Sequence, residues 1–304
     1  EIDRVAAAAS KHGVRQGVLL RLTPGVEAHT HESISTAHED VKFGFSIASG
    51  AAAVAVAEVL THTSLELRGF HCHVGSQIFG TDSFELAATR IIALMKACKE
   101  KHGIELPELD LGGGYAIAYL SGETTVEPED VLPSLSAVVK RECAAAGLAL
   151  PIISIEPGRN IVGPTTFTLY EVGTVKDVLL EDGSTRRYIS VDGGMSDNIR
   201  PSLYGAEYSA VLADRVSTSA HVLSRVVGKH CETGDIVIRD FQLPSDIAPG
   251  DLLATPATGA YGRSMASNYN HLPRPPVVAI KNGKARVIVR RENEADLLAL
   301  DVKE

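Results

Sequence analysis

The sequence predicts an α/β fold followed by a β fold: part of a (β/α)8 barrel, with about four βα units, then a mostly antiparallel β domain. Three observations predict it. Over residues 1–162, short apolar strands alternate with helix-length segments, the spacing of parallel βα units. Over residues 163–304 the texture shifts to β-rich runs separated by turn signals. Within the first stretch, three strand ends carry clusters of Gly, Pro and ionisable residues, and the carboxyl ends of strands are where βα folds build their chemistry.

The opening "EIDRVAAAASKHG" reads as an amphipathic helix stopping near Gly13, and "GVLLRL" (17–22) as a short apolar strand. An Ala/Val-rich helical run at 50–60 precedes the strand "LELRGFHCHVG". The long amphipathic stretch 82–103 is expected to be a helix, with Asp82 or Ser83 as N-cap and Gly103 past its end. The strand "ELDLGGG", a helix across roughly 129–147 and the strand "PIISIEPGR" follow. In the second half, "TTFTLYEVGTVKDVLL", "RRYISVDGG", "HVLSRVVGKHC" and "DIVIRDFQL" read as strands. Asn282-Gly283 inside "VVAIKNGKARVIV" marks a two-residue hairpin turn.

Composition narrows the function classes. With 44% hydrophobic and 22% charged residues, the chain is globular rather than disordered. A formal charge of −9 argues against a nucleic-acid or anionic-membrane surface. No apolar run is long enough to span a bilayer, and no secretory signal opens the sequence. Cys72, Cys98, Cys143 and Cys231 are irregularly spaced and form no C-x-x-C pair, so a reducing, cytoplasmic setting is expected.

The strand-end motifs are "HCHVGSQ", "DLGGGY" and "EPGRN". His71 and His73 are read as turning to opposite faces, which leaves no shared metal, and no metal site is expected. The run Gly112–Gly114 is either a tight βα turn or, entering a helix, a cradle of backbone N–H groups for a phosphate. Glu156 and Arg159 are either a plain ion pair or a turn shaped around a ligand. A phosphate cradle, a histidine and a carboxylate at one rim together form the set that pyridoxal phosphate requires.

Six motifs in order, "HCHVGSQ", "DLGGGY", "EPGRN", "VDGGMSDNIRPSLYGA", "GKHCETGD" and "ATGAYGRSMASNYN", closely resemble the diaminopimelate decarboxylases. These are pyridoxal 5'-phosphate enzymes of the alanine-racemase-like class. The resemblance implies decarboxylation of meso-2,6-diaminopimelate to L-lysine and CO2, the last step of lysine biosynthesis. It also implies a homodimer with shared active sites. By the same resemblance His73 stacks on the cofactor ring and Glu156 pairs with the pyridine nitrogen. Ser76, Gly114, Gly158 and Arg159 hold the phosphate and its surroundings, with Tyr261 also at the cofactor. Arg200, Arg159, Tyr204 and Tyr261 bind substrate, the arginines clamping its distal carboxylate. Glu232 takes the distal ammonium, and Cys231, from the partner subunit, returns the proton. The 258–272 segment is implied to come back to the active site.

One family feature is missing. None of the lysines, Lys42 in "VKFG" and Lys229 beside the cysteine motif included, matches the family's catalytic lysine on an early barrel strand. A carboxyl-terminal portion of a longer enzyme, inactive without that upstream lysine, is the expectation. Alternatives are an ornithine- or arginine-type decarboxylase, a lysine-less regulatory homologue, and a metal-dependent barrel hydrolase using His71 and His73.

Overall fold

The computed structural model describes residues 1–26 and 42–302, which divide into two units, Glu1–Ile117 with Thr124–Ile161 and Ala118–Glu123 with Val162–Glu304. The first contains α1 (Ile2–Lys11), β1 (Gln16–Thr23), β2 (Phe45–Ser46), α2 (Ala51–Thr61) and β3 (Leu65–Cys72). It continues with α3 (Asp82–His102), β4 (Glu108–Asp110), α4 (Pro128–Ala146), β5 (Ile152–Ser154) and the short α5 (Gly158–Val162), which runs across the boundary. The sheet order is β2-β1-β3-β4-β5, and every pair is parallel. Register sets Arg21 beside His71, His71 beside Asp110 and Asp110 beside Ser154. The polar strand ends therefore finish at one level.

The helices bury one stripe each against this sheet. On α3 the buried residues Phe84, Ala87, Ala88, Ile91, Ile92, Met95 and Cys98 recur at helical spacing, and they pack with Phe70, Leu109, Leu111 and Leu135 in one core. Gly103 ends α3 in the left-handed conformation, as the sequence predicts. The N-cap is Thr81, however, rather than Asp82 or Ser83, and its side chain makes no cap bond. Asp82 and Glu85 lie instead in the first turn, where carboxylates meet the positive end of the helix dipole. Pro128 opens α4, a position where its missing N–H costs nothing.

The second unit is built on β6 (Thr168–Leu179), β7 (Thr185–Val191), β8 (Val211–Leu212), β9 (His221–Val227), β10 (Ile236–Pro244) and β11 (Leu252–Thr255). They form a six-stranded sheet, β10-β9-β7-β6-β11-β8, in which only the β7–β9 pairing is parallel. Of the short helices, α6 (Arg200–Tyr204) lies between β7 and β8, while α7 (Gly262–Met265) and α8 (Glu294–Leu297) follow β11, the last of these strands in the sequence. A separate hairpin joins β12 (Val277–Lys281) to β13 (Lys284–Val289). Asn282 and Gly283 both have positive φ, 52° and 71°, as the two-residue turn demands. Among the described residues, no helix is long and apolar enough to cross a membrane.

Candidate active site

In the first unit the chemistry gathers where β3, β4 and β5 end. The triple glycine is there because neighbouring backbones crowd it. A Cβ on Gly112 would lie 2.2 Å from the Cys72 carbonyl oxygen, one on Gly113 2.2 Å from that of Glu156, and one on Gly114 2.3 Å from that of Gly75. Gly112 and Gly114 also have positive φ, 71° and 118°. The turn does not enter a helix, since α4 begins only at Pro128. It is a wedge between two strand ends, pinned where Glu156 N donates to Gly112 O at 2.8 Å.

The wedge also orients His73. Gly113 N donates to His73 Nδ1 at 3.2 Å, so the ring carries its proton on Nε2. Burial, with Arg21 adding to it, holds the imidazole pKa below its ordinary range. His73 thus presents a neutral, fixed, flat ring.

His71 behaves differently. Residues two apart on a strand project to the same side, so the expectation of opposite faces fails. His71 Nε2 sits 3.4 Å from Glu156 Oε2, and His71, Asp110 and Glu156 each bring a ligand atom within 4.8 Å of the others. The histidine that meets the carboxylates at this rim is therefore His71. Asp110 Oδ1 is already engaged by Gly112 N at 2.8 Å.

Arg159 and Ser76 meet directly. The guanidinium is buried at 7% exposure and donates through Nη2 to Ser76 Oγ at 2.6 Å. Gly158, beside it, contrasts with the wedge glycines: a Cβ there would meet no atom within 4 Å. Protein packing does not require glycine at 158, whereas a ligand lying against the backbone would. A neutral flat ring, an exposed carboxylate, a buried guanidinium and an open glycine suit a planar aromatic ligand with an anionic arm.

The second unit holds the other predicted residues. Arg200, at the start of α6, is 6% exposed. It donates through Nη1 to the Tyr208 hydroxyl. Its guanidinium lies over the rings of Tyr119, Tyr208 and Tyr261, at 5.0, 5.5 and 5.8 Å from their centroids. Among the described residues no carboxylate forms a salt bridge with it. Tyr119 and Tyr208, in edge-to-face contact at 5.1 Å, are part of this cage and are missed by sequence reasoning. Tyr204 closes α6.

The turn "GKHCETGD" is organised by its last residue. Asp235 is buried, accepting from Met195 N at 2.6 Å and from His230 N at 2.8 Å. A Cβ on Gly228 would come within 2.2 Å of that carboxylate, so glycine there makes room for it. The result is a tight turn with Cys231 and Glu232 exposed at its tip; the other three cysteines are buried.

Comparison with known proteins gives the family. Residues 1–163 match the pyridoxal-dependent decarboxylase, pyridoxal binding domain, and residues 161–259 the C-terminal sheet domain of pyridoxal-dependent decarboxylases. The chain is 53% identical over 307 aligned residues to diaminopimelate decarboxylase of Mycobacterium tuberculosis, covering 100% of this chain and 69% of the relative. The crystal structure of diaminopimelate decarboxylase from M. jannaschi superposes with a TM-score of 0.89 at 29% identity, over 100% of this chain and 67% of that one. The Helicobacter pylori enzyme complexed with L-lysine gives 0.84 at 30% identity, over 99% and 70%. The chain belongs to the diaminopimelate decarboxylase family of pyridoxal-dependent decarboxylases.

Proposed function

We propose that the protein this chain forms decarboxylates meso-2,6-diaminopimelate to L-lysine and CO2 with pyridoxal 5'-phosphate, as a cytoplasmic homodimer. Bound pyridoxal phosphate supplies an electron sink for the pair left behind when CO2 departs. His73 offers its neutral ring as a stacking surface, and Glu156 holds a proton at the pyridine nitrogen. Ser76, Gly114, Gly158 and Arg159 receive the phosphate and its surroundings, with Tyr261 beside the cofactor. The substrate carries a second amino-acid head; Arg200, with Arg159, Tyr204 and Tyr261, binds its carboxylate and Glu232 its ammonium. Cys231, reaching a partner subunit's site, gives the proton that replaces CO2 on the carbon.

Arg200 carries the substrate assignment. A buried guanidinium caged by tyrosine rings, with no carboxylate pairing it among the described residues, is a cation suited to receive an anion. An ornithine-type substrate has no distal carboxylate to give it. The test is CO2 release by the purified full-length enzyme from meso-diaminopimelate and from L-ornithine, with cofactor identified by absorbance and metal by elemental analysis. Faster release from diaminopimelate by a pyridoxal-containing protein is expected. Faster turnover of ornithine, or a zinc protein that takes up no pyridoxal phosphate, overturns the proposal.

A further inference from the structure

Cys231 and Glu232 do not stand alone at the tip of their turn. The segment "NYN" lies against them, and consecutive residues of it touch consecutive residues of the turn. Tyr269 donates its hydroxyl to Glu232 Oε1 at 2.5 Å. Asn270 Nδ2 lies 3.8 Å from Cys231 Sγ, as a donor to sulfur, and 3.4 Å from His230 Nδ1. The thiol in turn points its own proton toward Glu232 Oε1, at 3.9 Å. His230 is fixed from the other side by Ser196 Oγ at 3.0 Å and packs on the Tyr269 ring at 5.5 Å.

The backbone beneath these contacts is unusual. Asn270 and His271 both have positive φ, 54° and 56°. Asn tolerates that region better than most residues. Two successive left-handed residues turn the chain sharply, so that the Asn270 amide lies by the thiol while the Tyr269 hydroxyl meets the neighbouring carboxylate.

We infer that the Tyr269–Asn270 pair positions Cys231 and Glu232 and divides the labour between them: Tyr269 orients Glu232 for substrate recognition, and Asn270 governs the Cys231 thiol during proton return. The inference rests on the roles proposed above for those two residues. Chemistry separates the arms. When Cys231 gives its proton away it becomes a thiolate, and an amide N–H aimed at sulfur stabilises that negative charge. A phenol bonded to one oxygen of Glu232 fixes the carboxylate's orientation and leaves the other oxygen for an ammonium. The titratable groups meeting the thiol are His230 and Glu232 on its own turn and Tyr269 on the facing segment. Glu232 in turn raises the phenol above its ordinary range.

The experiment uses the full-length holoenzyme. Asn270→Gly keeps the left-handed backbone and deletes the amide; Asn270→Asp keeps the size and exchanges an N–H donor for a charge. Tyr269→Phe removes only the hydroxyl. Steady-state kinetics with meso-diaminopimelate are combined with the pH dependence of iodoacetamide alkylation at Cys231, read by peptide mass spectrometry. Both Asn270 variants are expected to lower kcat by roughly three- to tenfold, with KM little changed, the scale of one ordinary intramolecular hydrogen bond. They should also slow alkylation at neutral pH and move its midpoint upward, Asn270→Asp the more. Tyr269→Phe is expected to raise KM by a similar factor and leave the alkylation profile in place. Unchanged alkylation in both Asn270 variants, or the same loss pattern from Tyr269→Phe and Asn270→Gly, overturns the inference. Failure of the underlying reading is separately visible, because Cys231→Ala and Glu232→Gln would then be close to wild type.

Discussion

Replacing Arg200 with Met tests substrate selection most directly. The guanidinium is almost wholly removed from water, and among the described residues its surroundings are ring faces and a phenol rather than a carboxylate. A substrate carboxylate meeting it is therefore desolvated and loses a buried counter-charge in the variant. Truncating one partner of such a pair costs about 2–5 kcal/mol. At about 1.4 kcal/mol per tenfold, kcat/KM for meso-diaminopimelate should fall roughly 30- to 4,000-fold. The stability cost is smaller: the ring contacts are worth roughly 0.5–2 kcal/mol, and Met fills much of the same volume. The assay is CO2 release in parallel from meso-diaminopimelate and from L-ornithine, expressed as the ratio of the two kcat/KM values. Any loss of folded enzyme cancels in that ratio. A ratio that collapses toward unity supports the clamp; equal losses on both substrates would falsify it, because damage to the fold or to cofactor binding strikes both alike.

Other expectations use different features. Gly113→Ala, whose Cβ would sit 2.2 Å from the Glu156 carbonyl oxygen, should destabilise the full-length protein by about 1–3 kcal/mol in urea unfolding; Gly158→Ala should unfold like wild type yet bind pyridoxal phosphate more weakly. Wild-type affinity in Gly158→Ala would remove the case for a ligand at that backbone. His73 has a lowered pKa in the fold, so its contribution to stability is complete above the ordinary histidine value of about 6.5 and is lost as pH falls through the lowered one. Melting of cofactor-free protein should therefore drop less steeply between pH 7 and 5 in His73→Phe than in wild type, and parallel curves would contradict this. Mixing a Cys231→Ala enzyme with a Glu156→Ala one should restore activity once subunits exchange, since one of two shared sites then has both groups. Inactive mixed dimers, with exchange shown by differently tagged chains, would place Cys231 within its own subunit's site.

Much of this was legible because backbone demands leave local traces. Asn282-Gly283 announced the hairpin since few other pairs accept positive φ at both positions. The buried stripe of α3 announced itself by period, though its first residue did not: a carboxylate belongs equally to a cap and to the first turn, and Asp82 took the second place. Strand β2, two residues long, is too short to leave a pattern. The triple glycine could be read as a phosphate cradle or a tight turn, because crowding by Cys72, Gly75 and Glu156 is a tertiary fact. Tyr119 and Tyr208 lie 89 positions apart and meet only around Arg200, so nothing local marks either as part of a cage. Tyr269 and Asn270 were inside a recognised motif, yet their contacts run to a turn 37–40 positions earlier.

The order β2-β1-β3-β4-β5 leaves β5 as an outer strand among the described residues, with Ile152 66% exposed and Leu150 beside it 52% exposed. Unpaired backbone carrying apolar side chains is a template on which another strand can add. Handled as this stretch alone, the polypeptide should self-associate through that edge as concentration rises. Its solubility is then governed by whatever covers three residues of β5, more than by its net negative charge.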